Sequence, residues 1–148
     1  DQIVADAETY IGLVEVGVGL IPGGGGTKEF ALRAADKYDK DNIPGNLVLQ
    51  DYLMSIATAK VATSAEEARG MGILRESDKV VVYTSRRIKE AKEAVLAMAE
   101  EGYTAPGMRK DIRVLGRNML STLMAGVAAM QYGHYASSHD ALIANKVA

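Results

Sequence analysis

A run of glycines around a single proline is the feature that most constrains what this chain can fold into. Residues 17–27 read Gly-Val-Gly-Leu-Ile-Pro-Gly-Gly-Gly-Gly-Thr. Pro22 excludes a helix interior, because proline lacks an N–H donor and clashes with the preceding turn. Consecutive glycines adopt backbone angles forbidden to other residues and let a ligand or another backbone approach closely. The run therefore predicts a tight turn, and Thr27 is suited to cap a helix beginning near Lys28.

Two nucleotide-binding interpretations of this run fail on the order of its residues. A P-loop places its lysine before the hydroxyl residue, whereas here Thr27 precedes Lys28. A dinucleotide-binding turn needs a third glycine, and Pro22 stands at that position of the segment that starts at Gly17. The turn is therefore not expected to bind a nucleotide.

The remaining pattern is mainly helical, with a few short strands. Branched and aromatic residues predict strands at 3–5, 10–14 and 79–83, and 112–115 is a candidate extended segment. Apolar spacing and capping residues predict helices over 28–38, 47–61, 64–70, 85–102, 118–132 and from 138 onward, with a polar linker at 39–46. The helix over 118–132 is apolar almost all round, so we expect it to be buried or to form an interface.

Composition excludes several classes of protein. The 148 residues carry a net charge of −2 without a clustered basic surface, and 24% of them are charged, so a nucleic-acid partner is not expected. The absence of cysteine excludes disulfides and cysteine-ligated zinc. His134 and His139 lie five residues apart, a spacing that does not suggest a metal site. The apolar run from Met119 to Met130 is shorter than the roughly 20 residues that span a bilayer, so we expect a cytoplasmic protein without a membrane partner.

Taken together with the strand before it, the glycine turn resembles a motif of the crotonase (enoyl-CoA hydratase/isomerase) superfamily. The matching residues read Gly-Leu-Val-Glu-Val from Gly12 and Gly-Val-Gly-Leu-Ile-Pro-Gly-Gly-Gly-Gly-Thr from Gly17, and residues 63–74 are also similar to the family. The resemblance implies a crotonase-like α/β fragment, mainly α-helical over these residues. It makes Glu15, at the end of its strand, a catalytic carboxylate, and Gly23 the residue whose backbone N–H binds the catalytic water.

The second half of the chain resembles a different part of known proteins. From Tyr103 onward it is similar to the extension of bacterial proteins that fuse a 3-hydroxyacyl-CoA dehydrogenase to a hydratase-like module. We therefore predict a core segment over residues 1–75 and a helical carboxy-terminal extension of the same module over 76–148. The start without methionine and the unterminated last helix predict a fragment of a longer protein.

The resemblance implies a role in fatty-acid β-oxidation, the reversible hydration of 2-enoyl-CoA by the parent enzyme. The alternatives to hydratase activity are an enoyl-CoA isomerase module or a non-catalytic packing and oligomerisation domain of the dehydrogenase fusion. The family's other catalytic glutamate and its oxyanion donors would precede Gln2, so we expect the isolated chain to be inactive. Acyl-CoA is the expected substrate of the parent, no cofactor or metal is expected here, NAD belongs to a fused dehydrogenase domain, and self-association is expected from the apolar helix.

Overall fold

The computed structural model describes residues 1–40 and 44–148. Residues 41–43, within the predicted linker, lie outside the described residues. Two short 3-10 helices, Glu15–Val18 and Thr84–Arg86, accompany the main elements. These are the strands β1 (Val4–Asp6) and β2 (Lys79–Val81) and the helices α1 (Gly26–Lys40), α2 (Gly45–Ala57), α3 (Ala65–Gly70), α4 (Arg87–Glu100), α5 (Gly116–Tyr132) and α6 (Ser138–Val147).

The chain divides into two compact units. Residues 1–11 and 62–110 form the sheet unit, and residues 12–61 and 111–148 form the helical unit. The predicted boundary at residue 75 separates two segments of the sequence, whereas the two units are defined by packing. The boundary at residue 75 therefore stays a prediction. The mainly helical content with a few short strands is confirmed. Among the described residues, no helix combines the length and the apolar character needed to cross a membrane.

In the sheet unit, β1 and β2 pair in parallel, with Ala5 opposite Val80. A small cluster of buried side chains lies beside them, formed mainly by alanines: Ala5, Ala62, Ala65, Ala68 and Leu74. Ser64 caps α3 by accepting a hydrogen bond from the backbone N–H of Glu67, as the sequence pattern predicts. Capping of this kind satisfies a helix N–H group that has no partner within the helix.

The buried carboxylate of Asp78 connects the segment before β1 with the turn before β2. Asp78 is 3% exposed. Its Oδ1 accepts a hydrogen bond from the N–H of Ile3 at 2.9 Å, and its Oδ2 accepts one from the N–H of Arg75 at 2.7 Å. Arg69 donates to the backbone carbonyl of the same residue at 2.9 Å. Asp78 therefore ties the approach to β1, the turn before β2 and helix α3 together.

Helix α4 follows the predicted helical period, but its apolar positions do not enter a core. Ile88 is 73% exposed and Val95 is 63% exposed, and no residue of α4 is buried. Helix α4 makes polar contacts with both strands of the unit. Arg87 forms an ion pair with Asp6, and Glu90 accepts a hydrogen bond from Lys79.

The helical unit is built from α1, α2, α5 and α6, which pack against one another. Helix α5 buries Met119, Leu123 and Val127, which are spaced four residues apart and therefore lie on one face. They join Leu53, Ala141 and Ala144 in the core of the unit. The opposite face of α5 is exposed, including Met124 at 43%. The prediction of a buried helix holds for one face, and self-association through the other face stays a prediction.

The structure corrects several predicted elements. The strand predicted at 10–14 is wrong, because only Ile11 pairs, in an isolated bridge to Ala62. No strand forms over residues 112–115. Thr27 lies inside α1 rather than capping it. The second predicted helix ends at Ala57 rather than at residue 61.

Two tyrosines of the helical unit are buried without a hydrogen-bond partner for their hydroxyl groups. Tyr38 is 8% exposed and Tyr52 is 6% exposed, and neither Oη atom has a partner. The ring of Phe30 stacks on that of Tyr52 at 4.5 Å between centroids. Burial raises the pKa of Tyr38 to about 12, and burial likewise raises the pKa of Tyr52.

These raised pKa values predict a loss of stability at high pH. A tyrosine whose folded pKa exceeds its unfolded value of 10.0 favours folding in its neutral form, and this contribution disappears as pH rises towards the folded value near 12. We expect the free energy of unfolding to fall by about 2 kcal/mol over this range because of Tyr38 alone. Urea unfolding at a series of pH values, followed by far-UV circular dichroism, measures it.

The matched variants are Tyr38→Phe and Tyr132→Phe. Tyr132 is 85% exposed, so its replacement should leave the pH profile unchanged, whereas Tyr38→Phe should flatten it. Equal alkaline profiles for the wild type and Tyr38→Phe would contradict the assignment of the loss to Tyr38.

Candidate functional site

The predicted catalytic carboxylate, Glu15, begins a 3-10 helix and does not end a strand. That helix ends at Val18, and Gly19 follows it with a φ of 76°, a left-handed value that suits glycine. The N–H of Leu20 donates to the backbone carbonyl of Glu15 at 3.0 Å, which closes the turn. The short helix packs against α2 in the helical unit. The strand that was expected to present Glu15 is therefore replaced by a turn of helix.

One carboxylate oxygen of Glu15, Oε2, is buried without a hydrogen-bond partner among the described residues. A buried polar atom without a partner costs free energy unless water or a ligand satisfies it. The described part of the structure gives no partner that explains this burial, and the catalytic role of Glu15 stays a prediction.

The four glycines of the turn differ in what the structure requires of them. Gly25 has a φ of 93°, and a Cβ on Gly26 would lie 2.5 Å from the side chain of Leu13. A Cβ on Gly23 or Gly24 would meet nothing within 4 Å. Backbone conformation and packing thus explain why glycine is needed at Gly25 and Gly26, but they give no reason for glycine at Gly23 and Gly24. Gly23 and Gly24 leave an open backbone surface, and water binding by Gly23 stays a prediction.

A histidine contact that the sequence did not suggest lies at the end of the same 3-10 helix. The Nε2 of His139, on α6, is 2.8 Å from the carbonyl oxygen of Gly19. The neighbouring Asp140 belongs to a capping box with Ser137, which caps α6. Hydrogen bonds from Ser137 hold the pKa of Asp140 below its usual value. The Ser-x-x-Asp spacing from Ser137 to Asp140 is the sequence signal that could have located this cap.

A cleft of about 600 Å³ lies between α2, α5 and α6 of the helical unit. Its wall is mainly apolar and includes Met54, Gly126 and Met130. The carboxylate of Asp140 also lines it, although it is engaged in the cap of α6. Neither Glu15 nor Gly23 lines this cleft. The structure therefore does not bring the two predicted site residues to this cleft, and no group of three or more His, Asp or Glu side chains among the described residues could hold a metal.

Comparison with known proteins gives one informative similarity. A probable 3-hydroxyacyl-CoA dehydrogenase of Bacillus subtilis strain 168 is 37% identical over 147 residues, which cover 99% of this chain and 18% of that protein. The chain is similar to part of a dehydrogenase. It spans less than a fifth of the length of that relative. No family model matches the chain, and no solved structure matches it.

The assignment to the crotonase superfamily is therefore wrong, and with it the predicted enoyl-CoA hydratase function. The relative that matches almost the whole chain is named as a dehydrogenase and not as a hydratase, and no crotonase family model supports the motif around Glu15 and Gly23. The motif describes a strand, a turn and a helix, and the structure lacks the strand. The similarity that extends over the whole chain carries more weight than this local one.

Proposed function

We propose that this chain is a segment of a 3-hydroxyacyl-CoA dehydrogenase, an oxidoreductase of acyl-CoA metabolism. The observation that carries the proposal is the 37% identity to the Bacillus subtilis protein over 147 residues, with almost no part of the chain left unmatched. The match extends over both units, which favours a shared fold and a shared place in the longer enzyme. The substrate and the chemistry are those that the name of the relative suggests.

Within such an enzyme, NAD is expected to be bound by a different segment. Oxidation of a hydroxyl group by hydride transfer needs a site that cradles the dinucleotide phosphates at the start of a helix. The glycine turn before α1 has Pro22 where the dinucleotide fingerprint needs glycine and has Thr27 before Lys28. We therefore do not assign NAD binding to this glycine turn.

A chimera tests the proposal. The matched 147 residues of the Bacillus subtilis protein are replaced by this chain, and NAD-dependent oxidation of a 3-hydroxyacyl-CoA is followed by the appearance of NADH. Because the shared identity implies equivalent packing, we expect kcat/KM within about tenfold of the unmodified protein, a loss below about 1.4 kcal/mol in transition-state stabilisation.

A deletion control and a folding measurement are needed to interpret the activity of the chimera. A protein from which the matched segment has been deleted should lose activity or solubility, which shows that the segment matters to the enzyme. A chimera that is folded by circular dichroism but has no dehydrogenase activity would refute the proposal. Full activity after simple deletion would refute it as well.

A further inference from the structure

The sheet of the sheet unit is unusually small for a parallel sheet. Among the described residues it consists of β1 and β2, which pair in parallel over three residues each. Two strands in isolation are marginally stable at best, and three or more strands with an apolar face are needed for independent stability. Parallel sheets in particular occur almost only where both faces are covered. Two parallel strands of this length are therefore expected to belong to a larger sheet.

The outer edge of β1 carries backbone groups that β2 does not use. The N–H of Lys79 in β2 donates to the carbonyl of Ile3 at 2.9 Å, and successive residues of a parallel strand face opposite sides in the ladder. Ile3 and Ala5 therefore face β2, whereas the backbone groups of Val4 and Asp6 point to the other side. Within the described ranges, the N–H and carbonyl of Val4 and the N–H of Asp6 form no hydrogen bond. The carbonyl of Asp6 is used by the turn that follows β1.

Two observations favour the edge of β1 over the edge of β2 as the one that is extended. Helix α4 follows β2 along the chain but packs against β1. Its residues Ile88 and Val95 remain exposed, so this helix has apolar surface that the two described strands do not cover. Independently, β2 contains Lys79, a residue type with which natural sheets protect a free edge, whereas β1 begins with Val4 and Ala5.

We infer that β1 pairs along its outer edge with a third strand, contributed by the part of the longer dehydrogenase that lies outside the matched segment. The length of that part selects the partner, because the matched segment is 18% of the Bacillus subtilis protein and most of the enzyme is left to supply a strand. Strands buried in parallel sheets are rich in Val, Ile and Leu, which is the composition expected of the partner strand. The inference rests on the proposed function, since it takes the chain to be a segment of that enzyme.

Amide hydrogen exchange at residue resolution, in the 148-residue protein and in the chimera, tests the inference. Lys79 is the protected reference in both proteins, because its N–H is bonded across the sheet. In the 148-residue protein, Val4 and Asp6 should exchange without protection. In the chimera we expect both to exchange at least about 100-fold more slowly, as amides of paired strands do. Val80, whose N–H faces the other edge of the sheet, should exchange equally in both proteins.

Two proline variants test which edge is used. Proline removes an N–H and is tolerated in a strand where that N–H points away from the ladder. Val4→Pro and Val82→Pro each remove an N–H that has no partner in the described part of the chain, so both should retain the protection of Lys79 in the 148-residue protein. In the chimera, Val4→Pro should return the exchange of Asp6 to the rate seen in the 148-residue protein, and Val82→Pro should leave it slow.

Unprotected exchange of Val4 and Asp6 in a chimera that is folded by circular dichroism would overturn the inference. Protection of both amides in the 148-residue protein that grows with its concentration would also overturn it, because a second copy would then cover the edge. If the chimera does not fold, the unmodified Bacillus subtilis protein is measured at the residues aligned with Val4 and Asp6, and its exchange decides in the same way. Exchange and dehydrogenase activity are measured separately, so a chimera with slow exchange but no activity would count against the proposed function alone.

Discussion

Replacement of Gly12 by alanine is expected to destabilise the helical unit by about 3 kcal/mol. A Cβ at this position would lie 2.3 Å from the carbonyl oxygen of Lys60 and 3.1 Å from the Cα of Val61. Both neighbours are backbone atoms, so no rotation of a side chain can relieve the overlap. The segment that follows α2 would have to move away as a whole, and its packing would be lost.

The matched control is Gly23→Ala. A Cβ on Gly23 would meet nothing within 4 Å, and its φ lies outside the left-handed region. We expect this variant to remain within about 0.5 kcal/mol of the wild type. Urea unfolding followed by far-UV circular dichroism compares the two variants under identical conditions. Similar stabilities for Gly12→Ala and Gly23→Ala would show that the close approach to Lys60 is not a packing constraint.

Helices of this chain could be predicted from the sequence because their signals are local. Apolar spacing and the cap at Ser64 depend on neighbours within a turn or two of the same helix. The predicted helices over 47–61 and 118–132 correspond to α2 and α5, with differences of a few residues at their ends. Such ends are set by capping and packing that periodicity does not encode.

The errors arose where tertiary contacts decide the conformation. Branched and aromatic residues at 10–14 have the composition of a strand, but the described sheet offers β2 only to β1, and Ile11 finds a single bridge. A strand exists only where another strand can pair with it, which its own residues do not determine. Similarly, the apolar stripe of α4 was recognisable from its period, whereas its exposure depends on what the sheet unit places against it.

The functional error has a related cause. Glu15 and the glycine turn stand at the spacing of a known motif, but a short motif specifies a local path of the backbone and not a reaction. The turn around Gly25 and Gly26 is explained by a left-handed φ and by the side chain of Leu13. Those requirements are structural and would be met in proteins of many functions.

Removal of the buried carboxylate of Asp78 is expected to destabilise the sheet unit by about 3 kcal/mol. In Asp78→Ala, the N–H groups of Ile3 and Arg75 would lose acceptors that now lie at 2.9 and 2.7 Å. Hydrogen bonds to a charged acceptor are each worth about 1.5–3 kcal/mol, and partly buried donors left without a partner add a desolvation cost. Amide hydrogen exchange measures the loss directly, with faster exchange expected throughout β1 and β2.

Two further variants separate the hydrogen bonds of Asp78 from a general effect of charge. Asp78→Asn keeps the shape of the side chain but offers one acceptor and turns an NH₂ group towards the second donor, so it should be nearly as destabilising as Asp78→Ala. Glu76→Ala removes a neighbouring negative charge from an exposed position and should change stability by less than about 0.5 kcal/mol. If Asp78→Asn were as stable as the wild type, one of the two backbone hydrogen bonds would contribute nothing to stability, and the role of Asp78 as an acceptor of both would be contradicted.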